Sequence, residues 1–116
     1  MNMKKTKIYI SGPIAGYDLN ERKIAFADRE AKLKEAGYEP VNPFSNGVPD
    51  EAHWRDHMRA DIRMLLDCDC IYMMRGWELS KGCKLELDVA SSCGIEVHLQ
   101  SCFPDARCPL FYLIQK

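Results

Sequence analysis

Two acidic residues sit where a merely soluble helix has no use for them. Wound at about 100° per residue, the stretch after Gly82 puts Cys83, Leu87, Val89, Ala90 and Cys93 on one apolar face and Lys84, Asp88 and Ser91 on the wet one. Glu86 falls in the middle of the apolar face. The stretch from Ala52 to Leu66, wound the same way, gives a stripe of Trp54, Met58, Ile62 and Leu65, with Asp61 inside it. A carboxylate on a buried face costs several kcal/mol unless it is paired, hydrogen-bonded or kept protonated. Two of them on successive helices point to a site. The chemistry of such a pair is proton transfer or nucleophilic attack, because burial pushes the two pKa values apart and divides the roles. His57 and Arg63 flank Asp61 in sequence but take helical positions that point elsewhere, so they are expected in solvent.

The elements that must carry these acids alternate. Lys7 to Ser11 (K-I-Y-I-S) reads as a first strand. It ends in Ser11-Gly12-Pro13-Ile14-Ala15-Gly16, a strand-breaking loop of small residues. Asp18 with Glu21 three residues later has the pattern of a capping box, and the helix it opens runs to about Ala36, with Gly37 as its stop. Tyr38 to Asn42 is a second short strand, and Pro43 to Asp50 is a loop long enough to be functional, with Phe44 as a candidate cover. After the Asp61 helix, Cys70 to Met74 is apolar throughout, as a central parallel strand buried on both faces must be. A loop from Gly76 to Gly82 leads into the Glu86 helix, Gly94 ends it, and Ile95 to Leu99 is a fourth strand. Phe111 to Ile114 is either a fifth, edge strand or a tail. The expected fold is therefore α/β: a three-layer, doubly wound parallel sheet of four to five strands, flavodoxin- or Rossmann-like, in one domain spanning residues 1–116. In such folds ligands bind beyond the C-terminal ends of the strands, where Ser11–Gly16 and Gly76–Gly82 both lie. A strand end of small residues before a helix start also suits an anion.

Composition narrows the classes. Hydrophobic content is 47%, charged content 28% and net charge −1, an ordinary globular balance without the clustered cations that phosphate contacts of a nucleic-acid binder require. The apolar run after Lys4, Lys5 and Lys7 is too short for a signal peptide or a membrane span, and a cytoplasmic protein with no membrane contact is expected. The six cysteines then read as free thiols. No C-x-x-C occurs, and His53, His57 and His98 do not fall at ligand spacing from the cysteines, so neither a metal nor a cofactor is expected.

The segment I-Y-I-S-G-P-I-A-G, the acid at Asp61 and the run S-K-G-C-K-L-E-L resemble the nucleoside 2-deoxyribosyltransferases, and still more the related deoxynucleoside 5′-monophosphate N-glycosidases. G-W-E-L-S-K-G is nearer again to a phage and bacterial branch of that superfamily whose function is not established. The resemblance covers most of Lys7 to Val97. It implies that Glu86 is a nucleophile attacking C1′ of a deoxyribose to give a glycosyl-enzyme, that Asp61 protonates or orients the departing base, and that Tyr9 holds the nucleophilic carboxylate. It further implies that Gly12, Pro13 and Ile14 surround the sugar or its 5′ group and that Ser80 and Gly82 bind the 5′-hydroxyl or 5′-phosphate. Trp77 either stacks on a base or packs under its loop. An oxocarbenium-like transition state needs a carboxylate near C1′ and an acid near the leaving group, so the physics agrees. The expected ligand is a small-molecule nucleoside or nucleotide. The expected function is cleavage or transfer of its N-glycosidic bond, the alternative being a nucleotide-binding or sensing module of the same fold. A dimer is implied, through the helices after the second and third strands, with Met58, Met64 and Leu66 either at its interface or filling the core.

Overall fold

Four short β-rich runs pair in parallel because each of the first three is followed by a helix long enough to carry the chain back. In the computed structural model, which describes residues 5–101, the strands are β1 (Lys7–Ser11), β2 (Glu39–Val41), β3 (Cys70–Met73) and β4 (Glu96–Leu99). The helices are α1 (Leu19–Glu35), α2 (Trp54–Leu66) and α3 (Lys81–Ser92), with short 3-10 turns at Pro43–Ser45 and Trp77–Leu79. The sheet order is β2-β1-β3-β4 and every pairing is parallel. β1 and β3, the apolar runs, are the central strands, and β3 is buried along its whole length. The doubly wound fold expected from the sequence is the fold observed, with four strands among the described residues. The candidate fifth strand, Phe111 to Ile114, lies outside them.

Alternation along the strands divides the core in two. Tyr9, Ile71, Met73 and Val97 face α2 and α3, where they pack with Leu65, Cys83, Leu87 and Ala90. Ile8, Ile10, Cys70 and Tyr72 pack on the other side with Phe26 and Leu33 of α1. The chain leaves β1 toward β2 over one face and comes back to β3 over the other. The C-terminal ends of β1 and β3 therefore form the switch in strand direction where such folds open a crevice.

Local devices fix the loops there. Asp18 caps α1, accepting from the Asn20 amide at 2.9 Å, while Glu21 turns to Arg22 instead of closing a reciprocal box. Gly12 is required by close packing: a Cβ there would lie 2.6 Å from Met74 Sδ and 2.9 Å from Phe26 Cζ. Gly76 turns the chain out of β3 at φ 90°, in the left-handed region that glycine tolerates. Among the described residues β2 is an edge strand, with Pro40 at its centre, registered against Ile8.

One helical position differs from expectation, and one open placement is decided. Cys93 is exposed because it is the C-terminal cap of α3, where the helical period no longer governs direction. Met58 is buried in the core while Leu66 is 51% exposed, so of the apolar residues proposed for an interface only Leu66 offers much free area. The described cysteines, Cys68, Cys70, Cys83 and Cys93, are free thiols, and burial pushes those of Cys68 and Cys70 up to about 11 and about 12. Cys102 and Cys108 lie outside the described residues.

Candidate active site

Glu86 lies on the inward face of α3, and the strand beside it supplies the groups that make its burial tolerable. Tyr9 and Ser11, two residues apart on β1, point to the same side of the sheet. The Tyr9 hydroxyl donates to Glu86 Oε2 at 2.7 Å and the Ser11 hydroxyl to Oε1 at 2.6 Å. The carboxylate is 5% exposed. Its pKa is raised to about 7, by burial first and by the charge of Asp61, against the lowering effect of the Ser11 and Tyr9 hydroxyls. Burial, with the neighbouring Glu86, also holds the Tyr9 phenol well above its ordinary range, so Tyr9 stays a donor at physiological pH.

Asp61 comes from the middle of α2 and is also buried. Its Oδ1 accepts from Asn46 Nδ2 at 2.8 Å. The same amide nitrogen lies 3.3 Å from His57 Nδ1, and Asn46 Oδ1 accepts from the Val48 amide at 2.8 Å. An amide nitrogen is always the donor, so in this contact His57 Nδ1 has the acceptor's place. Burial raises the Asp61 pKa from its ordinary value, opposed by the Asn46 hydrogen bond and by His57.

Both acids line one cleft of about 370 Å³, within the size range of small-molecule sites. Gly12, Pro13 and Ile14 form one wall of it, as expected of the loop after β1, and Ser80 and Gly82 lie at another. Ser80 caps α3, accepting from the Cys83 amide at 3.2 Å. Phe44 and Met58 add apolar surface. Trp77 does not line the cleft. It is partly buried against the core cluster on the α2 and α3 side of the sheet, which fits packing under its loop, of the two placements left open. Trp54, 43% exposed, does line the cleft, with Lys81 Nζ 4.7 Å from its ring centroid. His57, expected in solvent, is half-buried at the cleft because the Asn46 loop folds over it.

Sequence reasoning missed Ser11, Asn46, His57 and Trp54. Ser11 carried a signal, since it stands two residues from Tyr9 on one strand face. Asn46 carried none, because its role depends on where a loop settles. The expectation that histidine and cysteine do not meet also needs correction. Pairing of β3 with β4 brings Cys70, Glu96 and His98 together on the α1 side of the sheet, with ligand atoms within 4.8 Å of one another. Residues 26 and 28 positions apart in sequence give no spacing motif. Among the described residues no helix is long and apolar enough to cross a membrane.

A family model described as "Domain of unknown function (DUF4406)" matches residues 6–99. No curated protein matches the chain. Among solved structures, the 2-deoxyribosyltransferase from Bacillus psychrosaccharolyticus is 18% identical, with a TM-score of 0.62 over 81% of this chain and 71% of that one. The 2-desoxiribosyltransferase from Leishmania mexicana is 22% identical, with a TM-score of 0.64 over 81% of this chain and 63% of that one. A conserved protein from Enterococcus faecalis V583 is 23% identical, with a TM-score of 0.62 over 83% and 63%. The chain thus spans less than two thirds of the length of the last two. At these identities the likeness is one of fold, and the fold is that of the nucleoside 2-deoxyribosyltransferase-like proteins.

Proposed function

This chain belongs to the DUF4406 family, and we propose that it cleaves or transfers the N-glycosidic bond of a 2-deoxynucleoside or its 5′-monophosphate. The observation that carries the reading is the clamp on Glu86: a buried carboxylate facing a cleft, with one hydroxyl on each oxygen and a second acid on the same cleft. Two hydroxyls fix the carboxylate plane and leave its outward lone pairs for an electrophilic carbon, as a nucleophile must be held.

The reaction runs in two displacements. Glu86, ionised, attacks C1′, and the C1′–N bond breaks with its electron pair going to the base. Asp61 gives that base a proton, and a glycosyl ester of Glu86 remains. A second base, or water deprotonated by Asp61, then attacks C1′ and releases Glu86 with its electron pair. The acids share one proton in the reactive form. Positive charge developing at C1′ draws the negative form onto Glu86 and the proton onto Asp61. Tyr9 and Ser11 orient the nucleophile. Gly12, Pro13 and Ile14 surround the sugar, and the start of α3 at Ser80 and Gly82 takes the 5′ group. Trp54 and Phe44 offer apolar faces for the base. A homodimer contact through the exposed side of α2, with Leu66, belongs to the same reading.

The test is a panel of deoxynucleosides, their 5′-monophosphates and NAD, incubated with and without a second free base and separated by chromatography, with Glu86→Gln in parallel. Free base released by the wild type alone supports hydrolysis, and a new nucleoside formed only with the second base supports transfer. No product, with a nucleotide still raising the melting temperature, replaces the enzyme with a nucleotide-binding module.

A further inference from the structure

The face of the sheet away from the cleft carries a second polar cluster. Cys70 of β3 stands opposite Glu96 of β4, and His98 projects to the same side two residues on. Cys70 Sγ lies 3.9 Å from Glu96 Oε1, and His98 Nε2 lies 3.5 Å from Glu96 Oε2. Cys70 and His98 are buried, at 3% and 8% exposure, while the Glu96 side chain keeps 36% of its surface in solvent, so an ion has a way in. We propose that Cys70, Glu96 and His98 form a binding site for a zinc-class divalent cation, held by one sulfur, one carboxylate oxygen and one imidazole nitrogen.

The donor set decides the class of ion. Calcium and magnesium take oxygen ligands, whereas a sulfur and nitrogen pair with one carboxylate suits Zn²⁺ or Co²⁺. Tetrahedral bonds of about 2.0–2.3 Å put neighbouring donor atoms roughly 3.3–3.6 Å apart. The three donors here, all within 4.8 Å, therefore need to close by at most about 1.2–1.5 Å, a distance that side-chain torsions cover without moving either strand. The paired strands hold the ligands in register before any ion arrives. On binding, the Cys70 S–H bond breaks, its proton goes to solvent and the sulfur pair goes to the metal. Thiolate and carboxylate then balance the two positive charges, and the imidazole binds neutral. Water completes the fourth position. The ion would tie β4, the outermost strand on that side among the described residues, to the central β3. Nothing in this site touches Glu86 or Asp61, so it stands or falls independently of the glycosidic reading.

The test is titration of the full chain, kept reduced with a non-thiol reductant, with Co²⁺, followed by displacement with Zn²⁺. The expected result is one-to-one saturation, tetrahedral visible bands and a near-ultraviolet thiolate-to-cobalt band. Cys70→Ser removes that band, and Glu96→Gln and His98→Ala each weaken binding by about 10-fold or more. A wild type that gives no saturable band overturns the proposal, and so does a band that survives in Cys70→Ser. If Cys70→Ser or His98→Ala does not fold, the partly exposed Glu96→Gln decides alone: unchanged affinity overturns the site, and a 10-fold loss supports it.

Discussion

Tyr9 on β1 and Glu86 on α3 stand 77 positions apart in the chain and meet through a hydrogen bond of 2.7 Å. Ser11, one strand repeat further along, closes the other side of the same carboxylate at 2.6 Å. Hydrogen bonds to a charged group contribute about 1.5–3 kcal/mol each. Tyr9→Phe and Ser11→Ala are therefore each expected to lower kcat by roughly 10- to 150-fold on whichever substrate the panel identifies. KM should change little, because neither residue lines the cleft. A loss confined to KM would assign them to binding.

The pH profile of kcat/KM should be bell-shaped. The reactive form carries one proton on the acid pair, so activity falls as pH rises through about 7, where Glu86 and Asp61 lose it. It also falls on the acid side, at a pH above the ordinary aspartate range, because burial raises Asp61. Asn46→Ala removes the donor that lowers Asp61 and should move the acid limb upward. A profile flat from pH 5 to 9 would exclude the acid pair from the chemistry.

Stability should carry the opposite mark of the same carboxylate. The folded-state pKa of Glu86, about 7, lies above the ordinary 4.5, so the folded protein holds the proton more tightly than the unfolded chain. The glutamate is tolerated without penalty below pH 4.5, and stability is lost as pH rises from there through 7. Glu86→Gln should accordingly be more stable than wild type at pH 8, by on the order of 1–3 kcal/mol, and no more stable near pH 4. Thermal melts at the two pH values check the difference.

Gly12→Ala tests the packing under the first loop. The added methyl meets Met74 Sδ at 2.6 Å and Phe26 Cζ at 2.9 Å, and Phe26 is buried and cannot swing out. Overpacking of this kind costs about 1–3 kcal/mol. A lower melting temperature is expected, together with weaker ligand binding, because Pro13 and Ile14 ride on the same loop.

The acids were legible in the sequence because burial is written in helical period. Glu86 and Asp61 stand on apolar faces, and no neighbouring residue had to be placed to see that. The parallel sheet was legible from the apolar run of β3 and the alternation of strands with helices. What escaped depends on long-range placement. Asn46 reaches Asp61 only because its loop folds back, and Trp54, read as part of a core stripe, sits at the first turn of α2 where the helix leaves the core. Cys70 and His98 meet through strand pairing, which no local spacing records.

Pro40 has a consequence at the sheet's margin. Glu39 donates its amide to Thr6, toward β1, so alternation turns the amide position of residue 40 outward, and a proline there has no hydrogen to offer. An incoming strand would find a donor missing at the centre of a three-residue edge. The missing donor disfavours fibril-like growth and strand exchange between molecules along this border.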